Sequence, residues 1–158
     1  MRLYVPATLS ELDGVKGNKI NLTPRRAHTA TAALVRQYAA EDITDIEEVE
    51  YGAFMAAADD SLMLIAAAPD EQWTRLIISV DVPDSAVTVV EATPDEALSA
   101  VDITQDLGPT KIVCVHVDEP EAAGDIQGVL EGKEEAIIAL GERDLLWYDV
   151  SELGMISR

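Results

Sequence analysis

The chain has 158 residues, of which 48% are apolar and 26% are charged. This composition is typical of a globular protein and excludes a disordered chain, and the length predicts a single globular domain over residues 1–158. The formal net charge of -19 opposes binding to a phosphate backbone, so we expect no nucleic-acid partner.

Apolar runs and cysteine content bear on the location of the protein. No apolar run has the length of a membrane span, and the first residues, MRLYVPATL, lack the long apolar stretch of a signal peptide. We therefore expect a cytoplasmic protein without a membrane partner. The single cysteine, Cys114, excludes an intrachain disulfide and suits a buried, inert thiol.

The N-terminal part predicts a strand, a loop and a helix. Residues 2–6 form an apolar run closed by a proline, and residues 9–22 read as a turn-rich loop. Thr23 is a good N-cap, and Pro24 suits the first position of a helix. One face of this predicted helix carries Ala27, Ala30, Leu34 and Tyr38.

A second helix has a clearer start. Thr44 and Glu47 have the spacing of a capping box, in which each side chain satisfies a backbone donor near the other residue. The pattern predicts a helix from there to Ala68, ended by Pro69. Its many alanines would let it lie close against a sheet.

Residues 75–104 predict more strands. Segments 75–82 and 87–90 are apolar or alternating and flank a Pro-Asp-Ser turn, so an antiparallel hairpin is expected. Residues 93–98 fit the start of a short helix, and residues 99–104 alternate well enough to form another strand.

The apolar run IVCVHV at 112–117 is too short for a helix and predicts the central strand, covered on both faces. Asp118 is placed to cap a following helix that reaches Gly132, and a further helical stretch covers 133–140. The last strand is expected at 145–150.

The order of these elements is strand, two helices, hairpin, strand, helix, strand. Two strand-helix-strand units around a hairpin are typical of an α+β fold. We therefore predict a ferredoxin-like two-layer sandwich with an extended, mainly antiparallel sheet and helices on one face.

Five short segments of the sequence, taken together, resemble those of a known family. They are MRLYVPAT at the start, AHTATAALV, EEVEY, VHVDE, and LLWYDVSEL near the end. Over most of its length the chain resembles an uncharacterised family of small actinobacterial proteins, a domain of unknown function. The resemblance implies a bacterial cytoplasmic protein of about this size and implies no mechanism.

No phosphate loop, nucleophile elbow, HExxH or paired CxxC occurs, so we predict neither a cofactor nor a metal. Basic residues do gather around the predicted start of the first helix. Free N-H groups and guanidinium groups there would bind a small anionic ligand; the alternative is that these side chains pair with the acidic remainder. The predicted ligand-binding residues are Lys19, Thr23, Arg25, Arg26 and His28.

The candidate catalytic residues are His28, His116 and Asp118. In a strand, residues 116 and 118 point to one face, so an imidazole and a carboxylate would meet as a general base and its orienting group, or as two metal ligands. The chain has only two histidines, and no third ligand is placed, so a structural histidine is the alternative.

The scarce aromatic residues gather in the terminal strands, at Tyr4, Trp147 and Tyr148. Adjacent Trp147 and Tyr148 must face opposite sides of the sheet, so one is expected in the core and the other at an edge. We predict an intracellular binding or interaction module that forms a homodimer through its sheet. The alternative is a small hydrolase or transferase that acts on an anionic substrate, with His28 or His116 as general base. It requires a histidine, Arg25 and Arg26 in one pocket.

Overall fold

A computed structural model describes residues 1–158 and contains one eight-stranded sheet. The strands are β1 Arg2–Ala7, β2 Lys19–Leu22, β3 Arg25–His28, β4 Leu76–Asp81, β5 Val87–Val89, β6 Ala100–Ile103, β7 Gly108–Val117 and β8 Leu146–Tyr148. The α-helices are α1 Ala32–Ala40, α2 Ile46–Ala67, α3 Ala123–Leu130 and α4 Glu134–Gly141. Short 3-10 helices cover Leu9–Gly14, Asp84–Ala86, Pro120–Ala122 and Val150–Met155. None of the helices combines the length and the apolar character that a membrane span needs.

The strand order is β2-β7-β4-β1-β3-β6-β5, and every pairing is antiparallel. β8 pairs with the last residues of β7, on the edge opposite β4. The middle of the sheet is therefore β1, and the prediction that residues 112–117 form the central strand was wrong. Those residues are the buried half of a longer strand near one end.

The α+β class and the mainly antiparallel sheet are confirmed, but a ferredoxin-like arrangement is not. In that fold the helical connections join parallel strands with another strand between them. Here the connection through α1 and α2 does join two parallel strands, β3 and β4, with β1 between them. The connection through α3 and α4 differs, because it joins β7 and β8, which are direct antiparallel neighbours. The strand that enters α1 is β3, which was not expected as a strand.

One face of the sheet carries the main apolar core. Side chains from β1, β4 and β7 alternate into it, and the 3-10 helices at Leu9–Gly14 and Val150–Met155 pack on it. Its largest fully buried members include Leu3, Leu76, Ile78, Ile103 and Ile112. Burial of this kind contributes about 1.5–3 kcal/mol for each large apolar side chain.

The opposite face of the sheet is covered by α2. Ala57 and Ala58 lie against Ile77 of β4, and Tyr4 of β1 packs beside them. Because alanine has no bulk beyond Cβ, the helix approaches the strands closely, as its composition indicated. α1 packs on α2, and α3 and α4 reach it through Leu62.

The first helix begins later than predicted. Residues 25–28 are strand β3, paired with both β1 and β6, and the helix starts at Ala32. Its N-cap is Thr31, whose hydroxyl accepts a hydrogen bond from the Leu34 N-H at 3.1 Å. Thr23 and Pro24 satisfy the local rules for a helix start, but pairing with two distant strands overrides them.

The long helix α2 follows the prediction within a turn, although Asp45 rather than Thr44 is its cap. The expected hairpin was wrong, because β4 pairs with β1 and β7 and β5 pairs with β6. Residues 99–104 contain the predicted strand, whereas 93–98 form turns rather than a helix. The supposed loop over 9–22 contains a 3-10 helix and β2.

Helices α3 and α4 confirm the predicted helical stretches, but Asp118 does not cap them. The residue at the start of the 3-10 turn is Glu119, which makes no side-chain cap bond. In the last strand, Tyr148 packs against the main core and Trp147 is exposed, as their alternation required.

The contact between α3 and α4 depends on a glycine. A Cβ at Gly128 would lie 2.5 Å from Cβ of Ala136, whereas a Cβ at Gly124 in the same helix meets nothing within 4 Å. Gly128→Ala should lower the free energy of unfolding by about 1–3 kcal/mol through overpacking. Gly124→Ala is the matched control and should raise it by about 0.5–1 kcal/mol. Urea unfolding of both variants tests this, and equal effects would contradict the close approach.

Candidate functional site

The two histidines lie on the helix-covered face of the sheet but do not converge. His28 is opposite Tyr4 in the pairing of β3 with β1, and His116 is opposite Ile77 in the pairing of β7 with β4. Three strand spacings of about 4.8 Å separate their strands, and His116 lies two residues further along, so the two residues are at least about 14 Å apart. A joint role at one reacting atom is therefore not supported.

His28 joins three elements through hydrogen bonds. Its Nδ1 lies 2.8 Å from Oγ of Ser99, and its Nε2 lies 2.7 Å from Oδ2 of Asp60 on α2. These are the residue types of a serine-hydrolase triad, but His28 is 2% exposed and Ser99 is 1% exposed. A nucleophile must reach its substrate, so this arrangement serves to hold β3, α2 and the segment before β6 together.

Asp118 is occupied by an arginine. Its Oδ2 accepts hydrogen bonds from Nε of Arg75 at 2.8 Å and from the Arg75 backbone N-H at 3.0 Å, and its Oδ1 accepts from Nη2 at 2.9 Å. Both side chains are almost completely buried. The carboxylate is therefore fully used in the Arg75 contact, and it makes no hydrogen bond with His116.

Four of the five predicted anion-binding residues lie on strands. Arg25 bonds Glu11 at 2.6 Å and the Pro6 carbonyl, and Arg26 bonds Asp102 at 2.9 Å and also Glu96. The exposed side chain of Lys19 is on β2, and the exposed Thr23 lies between β2 and β3. Anion binding by this group stays a prediction, but the helix N-terminus on which it depended is not there.

The His116 ring makes no hydrogen bond within the chain. Its Nδ1 is buried without a partner, and so is Oγ of Ser79 on the neighbouring strand. Burial lowers the pKa of His116 below 6.5, its ordinary value, so the ring is neutral at pH 7. Buried polar atoms are nearly always paired in folded proteins, so the orphaned Nδ1 is unusual. The other ring nitrogen, Nε2, is not among the buried atoms and has no partner in the chain either, so it is the nitrogen that an external partner can reach.

His116 lies on the floor of a cavity of about 370 Å³, which we call the aromatic cleft. The cleft is bounded by β1, β7, the first half of α2 and the segment before β8. Its lining residues are Tyr4, Glu47, Glu50, Tyr51, Phe54, Met55, His116, Arg143, Asp144 and Leu145.

The aromatic rings in the cleft form a connected group around Phe54. Its centroid lies 4.7 Å from the His116 ring and 5.9 Å from the Tyr4 ring, both edge-to-face, and Tyr51 stacks on it at 6.1 Å. Burial raises the pKa of Tyr4, and the nearby Glu50 carboxylate raises it further. The Tyr4 phenol therefore stays protonated and is a hydrogen-bond donor.

The charges around the cleft are unbalanced. The side chains of Glu47, Glu50 and Asp144 make no ion pair or hydrogen bond. Arg143 is the only cationic side chain in the lining, and it bonds Asp125 at 2.5 Å and Glu119 at 2.7 Å, two carboxylates outside the cleft. The cleft thus presents free carboxylates beside apolar rings.

A larger cavity of about 820 Å³ lies between α1, α2 and the segment before β6. We call it the acidic cleft, because its wall includes Glu41, Asp45, Glu47 and Glu48. The two side-chain atoms that are buried without partners belong to Ser79 and His116, neither of which lines it. We therefore regard the aromatic cleft as the candidate site, despite its smaller volume. No three His, Cys, Asp or Glu side chains in the chain are grouped as metal ligands.

Comparison with known families identifies the family to which the chain belongs. The sequence pattern of DUF6912, described as a family of unknown function, matches residues 1–156. The chain belongs to DUF6912. This confirms the resemblance to an uncharacterised domain family over nearly the whole of this DUF6912 protein. No curated protein and no solved structure matches it.

Sequence reasoning found His116 but missed its partners in the cleft. Glu47, Glu50, Tyr51 and Phe54 recur on α2 at spacings of three and four residues, which places them on one helical face. The predicted contact of this helix rested on its alanines, which indicated that it lies against the sheet. A second amphipathic stripe of acidic and aromatic residues was the signal that could have indicated the cleft.

The buried Arg75–Asp118 pair predicts a large effect of mutation. Asp118→Ala leaves a buried guanidinium without its partner and should cost about 3–5 kcal/mol of unfolding free energy. The exposed Arg2–Asp81 pair is the matched control, because Asp81→Ala should cost only about 0–1 kcal/mol. Chemical denaturation of both variants measures the difference, and a small loss in Asp118→Ala would contradict the role assigned to this pair.

The depressed pKa of His116 predicts a pH dependence. The unfolded chain binds the proton more readily than the folded chain, so this residue makes the unfolding free energy fall as the pH drops below 6.5. His116→Gln removes that titration and should lose less stability on acidification than the parent. Urea unfolding at several pH values tests this, and parallel curves for the two proteins would show that burial of His116 has no such effect.

Proposed function

We propose that this DUF6912 protein is a binding module whose site is the aromatic cleft. The observation that carries the proposal is the His116 ring, which has no hydrogen-bond partner and lies on the floor of a cavity with aromatic walls. Small-ligand sites are typically apolar cavities of about 300–1,000 Å³ with a few polar groups that orient the ligand. The aromatic cleft has this character.

The binding function is favoured over catalysis by a histidine base. The predicted hydrolase or transferase requires Arg25, Arg26 and a histidine in one pocket. Arg25 and Arg26 are on β3 with carboxylate partners, whereas His116 is three strands away. Its Nε2 is available for a hydrogen bond, but no carboxylate orients the ring, as a general base usually requires.

Two further predictions from the sequence remain proposals. A homodimer is supported by Trp147 and Leu146, which are exposed on the edge strand β8, since unpaired edges and apolar side chains favour association. The cytoplasmic location is proposed on the sequence alone. The net charge of -19 continues to oppose a nucleic-acid partner.

A fragment screen by two-dimensional NMR tests the binding function. Hits should shift the amide signals of cleft residues, and the His116 ring signals should move with them. Tyr51→Ala should weaken these hits by roughly 3- to 10-fold, because an aromatic contact contributes about 0.5–1.5 kcal/mol. Met63→Ala removes another exposed apolar side chain from α2 outside the cleft and should leave them unchanged. Hits confined to other surfaces, or an absence of hits, would refute the proposal.

A further inference from the structure

The chemistry of the cleft wall indicates which ligands it accepts. We propose that the aromatic cleft binds an organic cation, an ammonium group carried on an apolar or aromatic body. This inference rests on the binding function proposed above. It follows from the free carboxylates, the exposed ring faces and the neutral hydrogen-bonding groups that the cleft brings together.

The carboxylates supply the charge complementarity. Glu50 is half-buried next to Tyr4, and Glu47 lies one turn earlier on the same face of α2. Asp144 approaches from the segment before β8. None of the three has a cationic partner within the chain, and Arg143 is already bound by Asp125 and Glu119. An incoming cation would therefore meet carboxylates that need no other contact to be broken.

The rings supply a surface suited to a cation and to its apolar body. Ammonium groups are attracted to the faces of aromatic rings within about 6 Å of the centroid. Phe54 is half-buried between Tyr4 and Tyr51, and Tyr51 is 56% exposed. The ring of Tyr51 is thus open to a ligand, with Met55 and Leu145 as further apolar wall.

The polar groups on the floor are neutral. An uncharged imidazole has one nitrogen that accepts a hydrogen bond, and Nε2 of His116 is neither buried nor hydrogen-bonded within the chain. An ammonium N-H is a suitable donor to such an acceptor. A carboxylate or phosphate ligand would instead face Glu47, Glu50 and Asp144 without a free cation to offset the repulsion. The overall charge of -19 also attracts cations and repels anions at long range.

A matched set of three probes tests the charge preference. They are 2-phenylethylammonium, neutral 2-phenylethanol and anionic 3-phenylpropionate, which share a phenyl ring and a short chain. NMR titration at neutral pH gives the affinity and the place of binding for each. The ammonium probe should bind in the aromatic cleft about tenfold more tightly than the alcohol, and the carboxylate should not bind there. Raising the salt concentration should weaken only the ammonium probe.

Two substitutions on α2 locate the charge effect. Glu50→Gln keeps the shape of the side chain but removes its charge, so it should weaken the ammonium probe about three- to tenfold and leave the alcohol unchanged. Glu48→Gln makes the same change on a neighbouring residue that lines the acidic cleft and not the aromatic cleft. It should leave both probes unchanged.

The outcomes separate this inference from the proposed function. Equal or tighter binding of the alcohol or the carboxylate in the cleft overturns the cation preference while supporting a binding site there. Failure of all three probes also overturns it, and the fragment screen then decides whether the cleft binds anything. An unchanged ammonium affinity in Glu50→Gln, or an equal loss in Glu48→Gln, overturns the role given to the carboxylates of the aromatic cleft.

Discussion

Insertion of β1 between β3 and β4 is the constraint on which the rest of the structure depends. Both edges of β1 pair with antiparallel partners, so its side chains alternate between the two faces of the sheet. Leu3 and Val5 enter the main core, while Tyr4 lies under α2. A slip of one residue would exchange these faces and place Arg2 and Tyr4 in the apolar core. The same register brings His28 opposite Tyr4 and fixes where α2 lies.

The aromatic cleft is a consequence of how α2 lies across the sheet. The alanine-rich middle of the helix lies directly on β4, while the preceding turns carry Tyr51 and Phe54 over β1 and β7. His116 is packed edge-to-face by Phe54 and is left without a polar partner. An unsatisfied buried polar group costs about 1–3 kcal/mol, a cost that the large core on the other face offsets. Departures of this kind from good packing are expected where a protein keeps a surface for a ligand.

The distribution of charge also distinguishes the packed parts of the fold from the aromatic cleft. The chain has few bases, and the arginines that the fold brings near the sheet are bound by carboxylates far away in the sequence. Arg26 reaches Asp102, Arg75 reaches Asp118 and Arg143 reaches Asp125. These pairs use the arginines near the sheet in structural contacts, and Glu47, Glu50 and Asp144 around the aromatic cleft are left without a cationic partner. The cleft is therefore anionic because its potential counter-ions are used elsewhere in the fold.

Local patterns in the sequence determined the α+β class, the long helix α2 and the existence of β1, β4 and β7, the strands that supply the main core. They also determined the membership in an uncharacterised family. Those features depend on periodicity, capping residues and apolar runs, which act over a few residues. The tertiary structure alone decided that residues 25–28 form a strand, since β3 is held by partners in β1 and β6 that no local rule reveals. It also decided that Arg25 and Arg26 are bound by carboxylates and that His116 lies among aromatic rings. Such contacts join residues far apart in the chain, 76 positions for Arg26 and Asp102, and only the packed chain brings them within bonding distance.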